Sequence, residues 1–538
     1  MKRRTQRFLP ATLVLLCGLL AWWFASGGRA AKPAAAPLPA KVAFTPKPVP
    51  APRPVVAAPR DEFPDGTTVE AFASCNEGEV ILRFPSDESY GSFLHALGGS
   101  PVRLLGRLDR LQALRLGYGH QEDLEALLDG ENITTYDSLS RFPAAPRPGG
   151  GAAADALGFG DEVLPWLGID GDNSRWGAGV KVAILDSGIL PHPALPSEIR
   201  SIEIIPFPDD PGETEGHGTA VASLVAGNGG PVRGVAPAAE LISVRIVDER
   251  GTSDAFAIAA GILAAMDAGA QLINLSLGTT DDIPLIAAAV VMAQQAGIVI
   301  VASSGNDGAA EASFPASYAG VISVGAVDAT RRRLAFSNLG SWLSLTAPGH
   351  LVDAAWSGGR VLRMSGTSAS APLVCGAIAA AMSDGSGQRL DAATAARWVV
   401  SLSDDAGAPG QDPEYGAGIL NVARVINRGI PNLQDAAIVS QRLVTGTAPG
   451  NPLKLDLTIQ NRGTAILINP LVEIRMAGYV TPLTATTLAP GAVHTFSVPV
   501  QQAVNDRQIT VSSSVAVARG EIDIHPENNT RTDRFFLR

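Results

Sequence analysis

Cysteine is nearly absent, with three in 538 residues, so no disulfide framework holds this chain and the fold must come from packing. A basic excess is missing too. Lys and Arg number 41 against 52 Asp and Glu, a formal net charge of −11 with a pI near 5.2, which leaves no electrostatic footprint for nucleic acid. Apolar residues are plentiful at 46%, and at this length they supply more than one sizeable core. Cys17 lies in the N-terminal apolar run, and Cys75 reads as a free thiol. Cys375 sits in a helical run, where it reads as a small buried hydrophobe.

The N-terminus reads as an export signal. Lys2, Arg3, Arg4 and Arg7 precede eighteen uncharged residues, Phe8 to Ala25, which orients the segment N-in and C-out. Two outcomes stay open. Gly28-Arg29-Ala30 offers a small-residue cleavage site, whereas the length of the run and Trp22-Trp23 suit a retained membrane anchor, toward which the balance tips slightly. Leu16 before Cys17 argues against a lipoprotein. Residues 31–59 hold nine prolines among Ala, Val and Lys, a spacer that in polyproline II form reaches roughly 90 Å.

Residues 76–145 alternate strand and helix patterns. Strands are expected at 79–84, 101–108, 111–116 and 133–139, with helices at 86–97 and 121–128. This β-α-β-β-α-β order is the ferredoxin-like, split βαβ pattern. A flexible Gly149-Gly150-Gly151-Ala152-Ala153-Ala154 linker follows.

From Gly177 the character changes. Strands that are apolar on both faces are expected at 181–185, 240–247, 271–277, 297–303 and 321–327, separated by helices at 217–226, 254–268 and 284–296, and such a pattern means a parallel doubly wound α/β sheet. Ligands meet such sheets beyond the carboxyl ends of the strands. There the sequence places Asp186-Ser187-Gly188, Ser276-Leu277-Gly278 and Ser304-Gly305-Asn306, while Gly216-His217-Gly218-Thr219 and Gly366-Thr367-Ser368 open helices. Each stretch alone is an ordinary turn or cap. Together they supply what acyl transfer needs: a hydroxyl nucleophile, an imidazole to take its proton, a carboxylate to fix the imidazole, and donors for an oxyanion.

Val182-Ala183-Ile184-Leu185-Asp186-Ser187-Gly188, Gly216 to Ala222, Ser304-Gly305-Asn306 and Gly366-Thr367-Ser368-Ala369-Ser370-Ala371-Pro372 resemble the four signature stretches of subtilisin-like serine proteases, in the Asp, His, Ser order. Gly234 to Pro237, Phe336 to Gly340, Ala347 to Gly349 and Tyr415 to Gly418 add to the resemblance, which covers about residues 160–428. It implies a serine endopeptidase in which Asp186 orients His217, His217 is general base and acid, Ser368 attacks, and Asn306 with the Ser368 N–H forms the oxyanion hole. It also implies that Ser276, Leu277 and Gly278 pair as an edge with extended substrate. The walls of the pocket for the side chain at the cut bond come from 276–278 and 302–305, including Ser304 and Gly305.

The resemblance further implies a zymogen, with residues 61–148 as a cleavable propeptide that inhibits its own protease and 149–159 as the processing linker. A Cys75–Cys375 bridge is discounted, since it would keep the inhibitor attached. His192 matches a structural position of the family, and Arg331-Arg332-Arg333 reads as a solvated turn. No cofactor and no metal ligand is assigned. Asp209-Asp210 and Asp281-Asp282 are of a type that ligates calcium but is usually just solvated, and Asn228 to Arg233 is short where many relatives carry a calcium loop.

After residue 428, strands at 437–444, 452–460, 469–476, 494–500 and 508–517 suggest a β-sandwich. Asn461-Arg462-Gly463, Leu488-Ala489-Pro490-Gly491 and Glu527-Asn528-Asn529 resemble the bacterial cell-adhesion-related, immunoglobulin-like domain. The expected organisation is a signal or anchor at 1–30, spacer at 31–60, propeptide at 61–148, linker at 149–159, catalytic domain at 160–428 and sandwich at 429–538. The expected function is a monomeric, exported serine endopeptidase acting on protein or peptide. Its rival is a surface-tethered interaction protein whose protease domain only processes itself.

Overall fold

The computed structural model describes residues 78–128, 135–137, 156–169, 171–207, 216–229, 232–248, 250–383, 389–444, 453–476, 478–500, 508–518 and 521–536. The segment 8–25, the spacer, Cys75, the linker glycines and Asp209-Asp210 lie outside them.

Residues 79–137 carry β1 (Glu79–Arg83), α1 (Asp87–Leu97), β2 (Arg103–Leu108), β3 (Ala113–Gly117), α2 (Gln121–Leu128) and β4 (Thr135–Asp137). The strands form one antiparallel sheet in the order β2-β3-β1-β4. Val80, Leu82, Phe93, Leu114 and Leu124 fill the core between sheet and helices.

A central parallel sheet follows. Its strands and helices, in chain order, are β5 (Lys181–Asp186), β6 (Arg200–Glu203), α3 (His217–Ala226), β7 (Glu240–Arg245), α4 (Ala255–Asp267), β8 (Leu272–Leu275), α5 (Pro284–Gln295), β9 (Val299–Ser303), β10 (Ile322–Val327) and β11 (Leu345–Pro348). Then come an antiparallel pair, β12 (Val352–Trp356) and β13 (Arg360–Met364), and the helices α6 (Thr367–Met382), α7 (Ala392–Ser401) and α8 (Val422–Asn427). The seven sheet strands lie in the order β11-β10-β9-β8-β5-β7-β6, parallel throughout. Val182 and Ile184 pack on the face covered by α3 and α6, Ala183 and Leu185 on the face covered by α4 and α5. Because the chain continues to one side of β5 through β7 and β6 and to the other through β8, the sheet reverses direction beside β5 and opens a crevice at its carboxyl end.

The first sheet docks on α4 and α5. Ile81, Leu108, Leu111 and Ala113 share an apolar cluster with Phe256 and Ala260. Around this contact Arg115 bridges Glu79 at 2.7 Å and Asp254 at 3.1 Å, and Arg110 pairs with Asp267 at 2.7 Å.

The C-terminal region holds β14 (Ala436–Val444), β15 (Lys454–Asn461), β16 (Leu471–Met476), β17 (Tyr479–Thr484), β18 (Val493–Pro499), β19 (Gln508–Ala516) and β20 (Thr530–Phe536). They form two antiparallel sheets, β14-β15-β18 and β17-β16-β19-β20, around one cluster that includes Leu457, Ile459, Val472, Ile474 and Val511. Among the described residues no helix is long and apolar enough to cross a membrane, and no group of three or more His, Cys, Asp or Glu is placed to hold a metal ion.

One expectation needs correcting. Of Arg331-Arg332-Arg333 only Arg332 is exposed to solvent as expected; Arg331 and Arg333 are half-buried. Arg331 reaches Asp404 at 2.7 Å, Arg332 reaches Asp328 at 3.6 Å, and Arg333 donates to the Ser337 carbonyl at 2.6 Å. Three adjacent cations find three partners because the turn folds back onto buried carbonyls and acids.

Candidate active site

Asp186 ends β5 and is buried, and His217 is the first residue of α3. Gly218 makes their approach feasible: a Cβ there would stand 2.4 Å from the Gly188 carbonyl and 3.2 Å from Asp186 Cβ. Two side-chain bonds pin the helix start to the strand end, from Gly218 N–H to Ser187 Oγ at 3.1 Å and from Leu190 N–H to Thr219 Oγ1 at 2.9 Å. Nδ1 of His217 consequently lies 2.8 and 2.9 Å from the two carboxylate oxygens of Asp186. Asp186 Oδ1 also accepts the Ser187 N–H at 2.7 Å.

Burial works against an imidazolium at His217, but the charge and hydrogen bond of Asp186 outweigh it, so this pKa lies above that of an ordinary histidine. The same contact favours the tautomer in which Nδ1 carries the proton toward the carboxylate and Nε2 is the acceptor. Nε2 is buried and finds no hydrogen-bond partner among the described residues.

Ser368 is the second residue of α6, a helix buried along its whole length. Gly366, at φ 140°, turns the chain into it. The Ser368 hydroxyl donates to the Ser276 carbonyl at 3.3 Å, and the Ser276 hydroxyl, itself accepting from Asn274 Nδ2 at 2.9 Å, donates to the Ser368 carbonyl at 3.3 Å. The hydroxyl thus rests on Ser276 and not on His217, a looseness common in sites without substrate.

Asn306 follows β9, and its Oδ1 accepts both the Thr367 N–H at 2.8 Å and the Thr367 hydroxyl at 3.0 Å. Those two donors fix the amide orientation. Nδ2, left on the other side, makes no hydrogen bond with any described residue. The Ser368 N–H belongs to the first turn of α6, where helices leave donors without an intrahelical acceptor.

Ser276, Leu277 and Gly278 leave β8 beside Ser368, and Ser304 and Gly305 leave β9 toward Asn306. Ser304 is fully buried, its hydroxyl has no hydrogen-bond partner among the described residues, and its N–H pairs with the Val324 carbonyl at 2.9 Å. His192 stands apart. Its Nδ1 accepts the Ala194 N–H at 3.0 Å and its Nε2 lies 2.9 Å from the Arg360 carbonyl, so both nitrogens serve the backbone. Cys375 is buried in α6 and unpaired, its thiol pKa pushed far up by burial.

Several residues that shape the site carried no readable role in sequence. Asn338 accepts the Asp307 and Ala309 N–H groups at 2.9 and 3.1 Å and donates its own N–H to Gly305, moulding the loop after Asn306. Arg245, fully buried in β7, donates to the Ser187 carbonyl at 2.6 Å.

The subtilase family profile of peptidase S8 matches residues 177–418. Subtilisin Savinase of Lederbergia lenta is 40% identical over 206 residues, covering 38% of this chain and 76% of the relative. This chain belongs to the subtilase family, and it is a serine endopeptidase. Alkaline elastase YaB of a Bacillus species is 34% identical over 314 residues, 56% of this chain and 80% of the relative. The alkaline protease of Shouchella clausii is 40% identical over 206 residues, 38% of this subtilase and 54% of that longer relative. All four signature-like stretches lie inside the matched region; the N-terminal and C-terminal sheets of this subtilase lie outside it.

Proposed function

We propose that the chain is an exported zymogen in which Asp186, His217 and Ser368 hydrolyse peptide bonds through an acyl-enzyme. The observation that carries this reading is the pairing of His217 Nδ1 with both Asp186 oxygens while its buried Nε2 lacks a partner. In use, a rotation of the Ser368 hydroxyl from the Ser276 carbonyl toward Nε2 hands His217 the proton as Oγ attacks the substrate carbonyl. Asn306 Nδ2 and the Ser368 N–H take the oxyanion, His217 returns the proton to the leaving amine, and water repeats the sequence on the acyl-enzyme. Residues 276–278 add an edge to the substrate backbone.

In the same reading the N-terminal domain is a ferredoxin-like propeptide and intramolecular inhibitor. Its sheet order and its docking on α4 and α5 support that role. The last domain is an immunoglobulin-like sandwich, the enzyme is a monomer needing no cofactor, and residues 8–25 direct export, with a membrane tether if they are retained.

Residues 61–538, purified as wild type and as Ser368→Ala, test this by intact mass, N-terminal sequencing and turnover of an unfolded protein. Wild type loses its N-terminal 85–100 residues (roughly, from the position of the glycine linker) and digests the substrate, while the variant does neither. Self-cleavage without digestion of any other protein would favour the tethered interaction protein. Equal digestion by both forms would overturn the triad.

A further inference from the structure

Residues 349–351, between β11 and β12, hold the turn that delivers Ser368. The Gly366 N–H donates to the Gly349 carbonyl at 2.9 Å, and the Leu351 N–H donates to Ser365 Oγ at 3.0 Å. Ser365 and Gly366 lead directly into α6, in which Ser368 is the second residue. Between these two bonds stands His350, a buried titratable side chain that the chemistry above does not use. Its Nδ1 lies 3.2 Å from the same Ser365 oxygen.

The same stretch is paired with residues 156–160, the first described residues after the glycine linker. The Phe159 N–H donates to the His350 carbonyl at 3.1 Å, the Gly160 N–H to the Leu351 carbonyl at 2.7 Å, and the Asp353 N–H back to the Gly160 carbonyl at 3.0 Å, a short parallel pairing. The Leu157 carbonyl accepts the Ala329 N–H at 3.0 Å. The His350 ring itself hydrogen-bonds to the Ala156 backbone, and burial outweighs both that bond and the Asp328 charge, which puts its pKa below that of an ordinary histidine. A neutral imidazole has one donor and one acceptor, and its two partners need one of each. The ring N–H serves the Ala156 carbonyl, while Nδ1 accepts the Ser365 hydroxyl, whose oxygen takes the Leu351 N–H.

We propose that His350 is a positioning residue for Ser368, coupling the strand 156–160 to the nucleophile turn, so that full activity requires the strand that processing leaves attached to the catalytic domain. This rests on the catalytic reading above. Misplacement of a reacting group by about 1 Å costs on the order of 10²-fold in rate, so a slack turn before Ser368 should appear in kcat. Gly158 gives access to the strand independently of the histidine. A Cβ there would stand 2.7 Å from Leu351 Cβ, so Gly158→Val pushes the strand away while leaving the ring in place.

The test compares the processed wild type with His350→Leu, His350→Asn, Gly158→Val and the double variant His350→Leu with Gly158→Val, measuring kcat and KM on a peptide that the wild type cleaves and the rate of fluorophosphonate labelling of Ser368. In His350→Leu and in Gly158→Val, kcat and the labelling rate are expected to fall about tenfold or more, with KM within about twofold of wild type. His350→Asn, whose amide keeps a polar atom where Nδ1 stood, should recover most of that loss. The double variant should fall no further than the worse single one, because both changes break the same path. Unchanged kcat in a folded His350→Leu or Gly158→Val chain, even with a lowered melting temperature, overturns the assignment, and so do losses that multiply in the double variant. If one single variant does not fold, the other decides. A wild type that turns over no peptide would instead strike the catalytic reading.

Discussion

At the scale of single residues, the chemistry proposed here depends on which nitrogen of His217 is free. Asp186→Asn keeps a hydrogen-bonding group beside Nδ1 but removes the charge and allows the wrong tautomer, so kcat is expected to fall by about 10⁴. The accompanying pH profile has a defined sign. His217 must be neutral to accept a proton, and Asp186 raises its pKa, so the acid limb of kcat/KM lies above that of a free histidine. In Asp186→Asn the residual activity should show that limb displaced to lower pH. A limb that stays in place would mean that another group titrates. Asn306→Ala, which removes the free Nδ2, is expected to lower kcat by roughly 10²–10³ with little change in KM. These side chains were legible in the sequence because the proposed nucleophile, base and carboxylate each sit at a strand end or helix start with small neighbours. Asn338 was legible only as part of the 336–340 stretch and not for its role, since it acts through the loop after Asn306, whose path is fixed only when the 305–309 and 336–340 segments are brought together.

At the scale of elements, long apolar strands and strongly periodic helices were readable almost to the residue. The five central strands and α3, α4 and α5 fall where their hydrophobic patterns put them. Four edge strands escaped, although the edges β2, β4, β14 and β18 were expected. β6 is short and mostly exposed, β11 ends in Pro348, β17 contains Pro482, and β20 is rich in polar residues. β6 and β17 bury no residue fully, and β11, though buried, is only four residues long and ends in proline, so these strands carry neither the alternation nor the apolar run that marks a strand. The start of α4 offers a test of how elements are joined. Asp254 caps it by accepting the Ala257 N–H at 2.8 Å and also pairs with Arg115 of β3. In the unprocessed Ser368→Ala chain, Asp254→Ala should lose both the cap, about 1 kcal/mol, and the bridge. Asp254→Asn should retain the cap and recover that share in thermal melts. Equal loss in both would mean that the ion pair alone matters.

At the scale of the whole molecule, a buried carboxylate joins the catalytic and C-terminal domains. Asp404 is approached by Arg331 at 2.7 Å, Arg462 at 3.1 Å and Arg424 at 3.5 Å, and Arg462 belongs to the C-terminal domain. Burial alone would raise the Asp404 pKa, yet the three guanidinium charges bring it down to about 2. Since this lies below its unfolded value, Asp404 stabilises the fold at pH above about 4, and that contribution, on the order of 2–3 kcal/mol, is lost as pH falls toward 2. Its neighbour Asp405 has the opposite sign. Burial with an unpartnered Oδ2 lifts its pKa to about 6, so its contribution is present at low pH and lost as pH rises toward 6. Urea midpoints of the Ser368→Ala chain should therefore peak near pH 4, falling below it as Asp404 protonates and falling from there to about pH 6 as Asp405 ionises. Asp405→Asn should flatten the decline on the alkaline side, and Arg462→Met should lower the midpoint at every pH above 4. An unchanged midpoint in Arg462→Met would show that the C-terminal domain contributes nothing to the joint.

The central claim, that Ser368 is an activated nucleophile, is tested most directly by reacting the processed wild type with a fluorophosphonate and locating the adduct by peptide mass mapping. The expected result is one phosphonyl group on the peptide containing Ser368, absent in Ser368→Ala and strongly slowed in His217→Ala. Labelling of another residue, or undiminished labelling without His217, would contradict it.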